Sequence, residues 1–273
     1  MNAIINTKLL CLQEVLGKLT YRHREKGLLE GGLDPRISAY ITDAGLDGLL
    51  WVPNIDLDHA LIMALVERLQ LKMHLFHLPH DEMTIMLQDM EVIMGIPVDG
   101  LPMVGFTRMD GWGDLYAELL GHRPSNRQVG AGKNTAMMEG LGVKAKWLEE
   151  RFSNPFLADA TEVLVQQYAR FYILEMLGGI LFMDKFGERH LIMYLQFFNP
   201  INNGKNYSWG SVALSWLHRH LYNASEKIAK QIGGALLLVQ LWVWVRFPHI
   251  CPMMRHPHQA LPPGPLAIRY VRS

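Results

Sequence analysis

Histidine triplets and serine–histidine neighbourhoods are the first places to look for chemistry in this chain. His74, His77 and His80 are spaced at three, which on a helix would put three imidazoles on one face, fit for zinc. Pro79 lies among them, and the segment reads as extended, where residues three apart point to opposite sides. The expectation is therefore one packed histidine and two at the surface. His218 and His220 stand two apart on a predicted helix and diverge around it. His249, His256 and His258 fall in a proline-rich tail. Gly130 to Thr135, GAGKNT, has the look of a phosphate-binding loop, but that motif needs glycine where Arg127 stands and Ser or Thr where Asn134 stands. Ser208 and Ser211 have histidines nearby but no G-x-S-x-G elbow, so helix capping is the simpler reading. Asp56 and Asp58 form a carboxylate pair in which Asp58 serves better as a helix cap.

Composition narrows the classes. The chain has 273 residues, 49% hydrophobic and 19% charged, enough for a sizeable core and unlike a disordered chain. Formal net charge is zero, so no global field draws it to nucleic acid. Cys11 and Cys251 are the cysteines. They suit a reducing compartment and are too few for a disulfide framework. The first residues do not read as a secretory signal. The most apolar run, Ile232 to Phe247, contains Gln240 and Arg246. It falls short of the about 20 apolar residues that span a bilayer, so it is predicted to be a core helix carrying Trp242 and Trp244.

The elements that must position these groups are mostly helices. A helix is expected from Thr7 to Lys18 and another over 36–50, closed by turns at Gly45 and Gly48. Asp58 is expected to cap a helix bearing Leu61, Ile62, Leu65 and Leu69. LFHL and TIML around a polar turn predict a β-hairpin over Leu75 to Leu87. A helix follows from about Gln88 to Met94, stopped by Gly95 and Pro97. Residues 98–135 are glycine-rich and read as irregular, with a flexible insertion at about 121–134. Helices are expected over Val143 to Phe152 and, with Asp159 and Glu162 as a capping box, over a long segment carrying Val163, Leu164, Phe171, Leu174 and Leu177. HLIMYLQFF reads as extended. A helix capped by Ser208 or Ser211 and the apolar helix complete the set. This is a mainly α, single globular domain with one or two short β-hairpins: a lead-in at 1–35, a core at 36–248 and a proline-rich irregular tail at 249–273.

Several blocks stand in an order that resembles the plant mobile domain family, sometimes labelled aminotransferase-like. They are YRHREKG from Tyr21, ALIMALVERL from Ala60, FHLP, MTI, Leu87 with Asp89, GIPVDG from Gly95, YARFYILEMLGGILFMDK at 168–185, YSWGSVALSWLHRHL at 207–221, LLLVQLWVWVRFP at 236–248, and PLAIRY ending at Tyr270. The chain departs from the family pattern at Leu69, at Gln70 to Met73, at Asp81, at Met86, where Thr is usual, and at Tyr270. The resemblance implies a nuclear, plant-specific regulatory domain linked to meristem maintenance, gene expression or transposon silencing. It implies a partner that is phosphatase-like, of the protein phosphatase 7 long form type.

No catalytic residue, cofactor or metal is carried over. The aminotransferase-like label would require pyridoxal phosphate, and no lysine here sits in a recognisable Schiff-base setting. The family-motif positions are His77, Pro79, Asp89, Gly95, Pro97, Gly100, Arg170, Asp184, Tyr207, Trp209, Gly210 and Trp242. His77 and Trp209 are expected to pack or hydrogen-bond at the core edge. Gly95, Gly100 and Gly210 are expected to supply backbone freedom, and Arg170 and Asp184 a buried pair. Two rival readings stand beside the interaction domain. A transposon-derived nucleic-acid binder would show a clustered Arg/Lys face. A deep cleft gathering His77, Arg170, Asp184 and Tyr207 would favour an enzyme.

Overall fold

A computed structural model of the chain describes residues 33–53, 55–70, 72–79, 81–104, 111–123, 128–129, 133–134, 138–139, 142–153, 159–183, 189–225, 232–251 and 264–270. The helix expected from Thr7 to Lys18, the second member of the Arg170–Asp184 pair, His80, His256, His258 and the break at 154–155 lie outside these residues.

The fold is mainly α, with small antiparallel sheets at its margins. Helix α1, Pro35–Asp43, starts on Asp34, whose carboxylate accepts from the Arg36 N–H. A 3-10 turn, Asp47–Trp51, follows. Asp58 caps α2, His59–Val66, by accepting from the Leu61 N–H at 3.0 Å. This helix is shorter than its apolar spacing predicts: Leu69 belongs instead to β1, Leu69–Gln70, which pairs with β2, Leu75–His77, and through it with β3, Glu82–Met83.

Helix α3, Leu87–Met94, ends on Gly95 at φ +66°. Its start has half a capping box. The Asp89 carboxylate accepts from the Met86 N–H at 2.8 Å, but Met86 has no oxygen with which to reciprocate. Met86→Thr is expected to raise stability by about 0.5–2 kcal/mol, read as a shift in the denaturation midpoint. An unchanged midpoint would remove the capping assignment.

The glycine-rich stretch, expected to be irregular, holds a helix. Helix α4, Trp112–Leu120, buries Trp112, Tyr116, Leu119 and Leu120 at helical spacing. Gly111 at φ +109° and Gly121 at φ +72° punctuate its two ends. Strands β4, Gln128–Val129, and β5, Lys133–Asn134, form a two-stranded pair. Strands β6, Met138–Glu139, β7, Gly142–Lys144, and β8, Arg189–Leu191, make a third sheet.

Helix α5, Ala145–Phe152, leads to α6, Glu162–Met176. The cap of α6 is Thr161, which accepts from the Leu164 N–H, rather than Asp159. Val163 is 63% exposed, because it lies in the first turn of α6, at the surface, whereas the second half of the helix, from Tyr168 to Met176, is buried on nearly every side. The helix runs on into a π-helical turn, Leu177–Leu181. Beyond β8, the rest of the supposed extended piece is a 3-10 helix, Ile192–Phe198. A second 3-10 helix, Ile201–Asn206, leads to α7, Trp209–Ala224, and then α8, Leu236–Arg246.

Helices α1, α4 and α5 pack on α6, while α3 packs on α7 and α8. Every residue of α8 from Leu236 to Trp244 is buried. Among the described residues, no helix is long and apolar enough to cross a membrane. Gln240 is tolerated inside α8 because its amide is fully engaged: Oε1 accepts from the Asp58 N–H at 2.6 Å and Nε2 donates to the Asp56 carbonyl at 3.2 Å. In the tail, a 3-10 turn, Leu266–Tyr270, brings the Tyr270 ring 5.2 Å from that of Trp244.

Candidate functional site

Two motif segments far apart in sequence, Gly95–Gly100 and Tyr207–Ser211, meet in one seam. The Gly210 N–H donates to the Pro97 carbonyl at 2.9 Å, and the Ser208 hydroxyl donates to the Val98 carbonyl. The Leu101 N–H donates to Asn206 O at 2.7 Å and the Ser208 N–H to Leu101 O at 3.1 Å, so Leu101 and Tyr207 form a parallel bridge. Gly100 sits at φ +125°, and a Cβ there would lie 2.7 Å from the Asn206 carbonyl oxygen; this position needs glycine on both counts. Gly210 is different. It is helical, and what it supplies is space rather than freedom, since a Cβ would come within 2.8 Å of Val98 Cγ1. Ser208 occupies the N-cap position of α7, but its hydroxyl is spent on Val98 and on the Ser211 hydroxyl, 2.6 Å away, not on capping.

Behind the seam, Trp209 is fully buried rather than at the core edge. Its ring stacks on Phe198 at 5.0 Å, its indole N–H donates to Gly204 O at 2.9 Å, and Phe182, Tyr194 and Phe197 close the cage. Tyr207 packs its ring on Phe197 at 4.8 Å. Asp89 links α3 to α8: besides the Met86 N–H it accepts from Arg246 Nη2 at 2.7 Å, and that guanidinium lies 5.8 Å over the Trp242 ring. Trp242 in turn packs on Phe76 of β2 at 5.7 Å.

Outside the seam the motif residues behave differently. His77, expected at the core edge, is exposed, and its Nδ1 lies 3.2 Å from the Glu82 carboxylate on the adjacent strand. Pro79 is exposed in the bend beyond it. Arg170 is buried, with Nε on the Phe198 carbonyl at 3.1 Å and Nη1 on the Leu119 carbonyl at 3.3 Å. Burial lowers the guanidinium pKa, against the pull of the Glu118 carboxylate.

The seam opens to solvent as a groove of about 480 Å³ lined by Val98, Asp99, Gly100, Pro102, Met103, Ser208, Ser211, Val212 and Ser215. Leu101 and Val104 stand beside it, 58% and 84% exposed. Its lining offers hydroxyls, one carboxylate and apolar side chains. Of the residues named for an enzymatic cleft, His77, Arg170 and Tyr207 do not line it. Among the described residues, no group of three His, Cys, Asp or Glu side chains is placed to hold a metal. No sequence signal marks the groove as such, because its walls come from segments 110 positions apart.

Residues 45–273 match the model of the plant mobile domain family. The chain belongs to that family. It is 37% identical to a serine/threonine-protein phosphatase 7 long form homolog of Arabidopsis thaliana over 84% of this chain and 16% of that protein. It is 32% identical to Protein MAIN-LIKE 2 of Arabidopsis thaliana over 83% of this chain and 32% of that protein. To Protein MAINTENANCE OF MERISTEMS of the same plant it is 33% identical over 75% of this chain and 41% of that protein. The chain thus spans less than half the length of each of these relatives. No solved structure matches it. In this plant mobile domain the motif residues Gly95, Pro97, Gly100, Tyr207 and Gly210 lie in the seam, Asp89, Trp209 and Trp242 pack behind it, and Gly100 among them lines the groove.

A second polar group came from no sequence signal. Glu175 of α6 and His190 of β8 are both about 4% exposed, with Oε2 and Nε2 3.1 Å apart. The contact is at ion-pair distance without straight N–H···O geometry, and Glu175 Oε1, His190 Nδ1 and the Tyr116 hydroxyl have no hydrogen-bond partner. Burial, reinforced by the Glu175 carboxylate, pushes the Tyr116 hydroxyl pKa well up. The approach of His190 is possible because residue 178 is glycine: a Cβ there would fall 1.7 Å from His190 Nδ1.

Proposed function

We propose that this plant mobile domain is a non-enzymatic regulatory and interaction module. It acts in a nuclear complex in meristem maintenance, gene expression or transposon silencing, with a phosphatase-like partner of the protein phosphatase 7 long form type. The observation that supports this reading most is how the seam uses its residues. Gly95–Gly100 and Tyr207–Ser211 spend their hydrogen bonds on each other's main chain, and what they leave at the surface is an open groove beside two exposed aliphatic side chains, Leu101 and Val104. Such an edge suits burial against another protein. The relatives, one a phosphatase 7 long form homolog and one Maintenance of Meristems, suggest the partner class and the process.

Titration calorimetry separates this reading from a nucleic-acid binder. Formal net charge is zero, and non-specific DNA affinity comes mainly from counterion release by clustered Lys and Arg. Duplex DNA is therefore expected to bind no tighter than about 10⁻⁶ M at physiological salt, while the purified phosphatase-like protein associates measurably. Tight, sequence-selective DNA binding without association to the phosphatase-like protein would reverse the order of the two readings.

A further inference from the structure

The turn between β1 and β2 carries a backbone feature that the fold does not explain. His74 sits at φ +53°, a left-handed conformation costly for a side chain with a Cβ. Its carbonyl is held by the Thr84 hydroxyl at 2.7 Å. The imidazole this posture presents lies flat on His218 of α7, with ring centroids 4.7 Å apart and planes within 3°. We propose that the stacked His74–His218 pair is a proton-operated latch that docks the β1–β2 turn on α7 near neutral pH and releases it on mild acidification.

The charges around the pair favour release. His218 is half-buried and His74 exposed. Burial, and then the neighbouring His74, lower the His218 pKa, and no carboxylate among the described residues opposes them. The other charged or basic side chains on these two elements are Lys72 in the turn and Arg219 beside His218 on α7, both exposed, and His220, buried with its ring 4.8 Å from that of Trp216. A second proton on the pair would place two like charges in ring contact inside a partly desolvated site. The docked state binds fewer protons than the open one, so docking is undiminished above the ordinary histidine pKa. It weakens as pH falls below that value and levels off below the depressed pKa of the docked ring.

Position gives the latch a consequence. Ser211, Ser215 and His218 recur at four and three along α7, on one face of the helix, and Ser211 and Ser215 line the groove. Release of the turn uncovers this face one helical turn beyond the groove.

The test is made on the full chain. Proton NMR should show His218 titrating below about 6.5. Hydrogen exchange, corrected for the intrinsic rate, should show the amides of Leu75 to His77 losing protection between pH 7.5 and 5.5. The loss should approach about tenfold for each unit by which the docked pKa is depressed. His218→Phe keeps a ring to stack on and removes the proton, so its protection should not change with pH. His74→Phe makes the same comparison should the first variant fail to fold, with circular dichroism at both pH values reporting the fold. A His218 pKa at or above the ordinary value, or the same pH dependence in the phenylalanine variants, overturns the latch.

Discussion

Replacing Trp209 with alanine is expected to cost about 3–5 kcal/mol, a large fraction of the about 5–15 kcal/mol by which domains are stable. The ring is fully buried, stacked on Phe198 and enclosed by Phe182, Tyr194 and Phe197. Four large aromatics cannot collapse into the space without leaving their rotamers, so most of the cavity would persist. The indole N–H is also bonded to Gly204 O at 2.9 Å, and its loss removes one of the two hydrogen bonds that carbonyl accepts, leaving the Tyr207 N–H at 3.2 Å. Trp209→Phe should recover most of the packing and lose chiefly the hydrogen bond, worth about 0.5–1.5 kcal/mol. Urea denaturation of the three proteins decides the matter. An alanine variant within about 1 kcal/mol of the wild type would show that the cage is not the centre of the fold.

The second large effect is expected at the Glu175–His190 pair. Glu175→Ala should cost about 3–5 kcal/mol, because it leaves an imidazole inside the protein with its compensating carboxylate gone. His190→Ala should cost a similar amount by stranding the carboxylate. Glu175→Leu combined with His190→Leu should be less damaging than either alanine change, since replacing both partners removes the polar groups that need compensation. Thermal melts at pH 7 test the ordering. A double variant worse than both single ones would mean that the pair carries the strand β8 in a way apolar packing cannot replace.

The elements legible in the sequence are those whose determinants are local. Asp58 as a cap, Gly95 as a left-handed stop and the buried helix within Ile232 to Phe247 each depend on a few neighbouring residues. The readings that failed are those in which glycine or spacing carried two meanings. The glycines of 98–135 suggest irregular chain, yet two of them, Gly111 and Gly121, are the ends of α4. Asp159 and Glu162 have capping-box spacing, yet Thr161 caps α6. Leu69 continues the helical period of α2 but turns away into a strand. The polar pair Glu175–His190 joins a helix to a strand, and the groove joins Val98 to Ser208. Neither has a signature within a window of sequence, because contact between distant segments creates both. The motif blocks located the groove only in retrospect: the resemblance named Gly100, Tyr207 and Gly210 without saying that they meet.

The central claim is that the seam exists to present its groove and the aliphatic edge beside it to a phosphatase-like partner. The direct measurement is calorimetric titration of that partner with the wild-type domain and with Val104→Asp, at matched salt and with the melting temperature of each recorded. Val104 is 84% exposed, so aspartate there should leave the fold intact while placing a desolvated charge in the complex. The account predicts saturable binding by the wild type and affinity weakened at least about tenfold, or 1.4 kcal/mol, in the variant with an unchanged melting temperature. Equal affinity of the two proteins, or no binding by either, would contradict it.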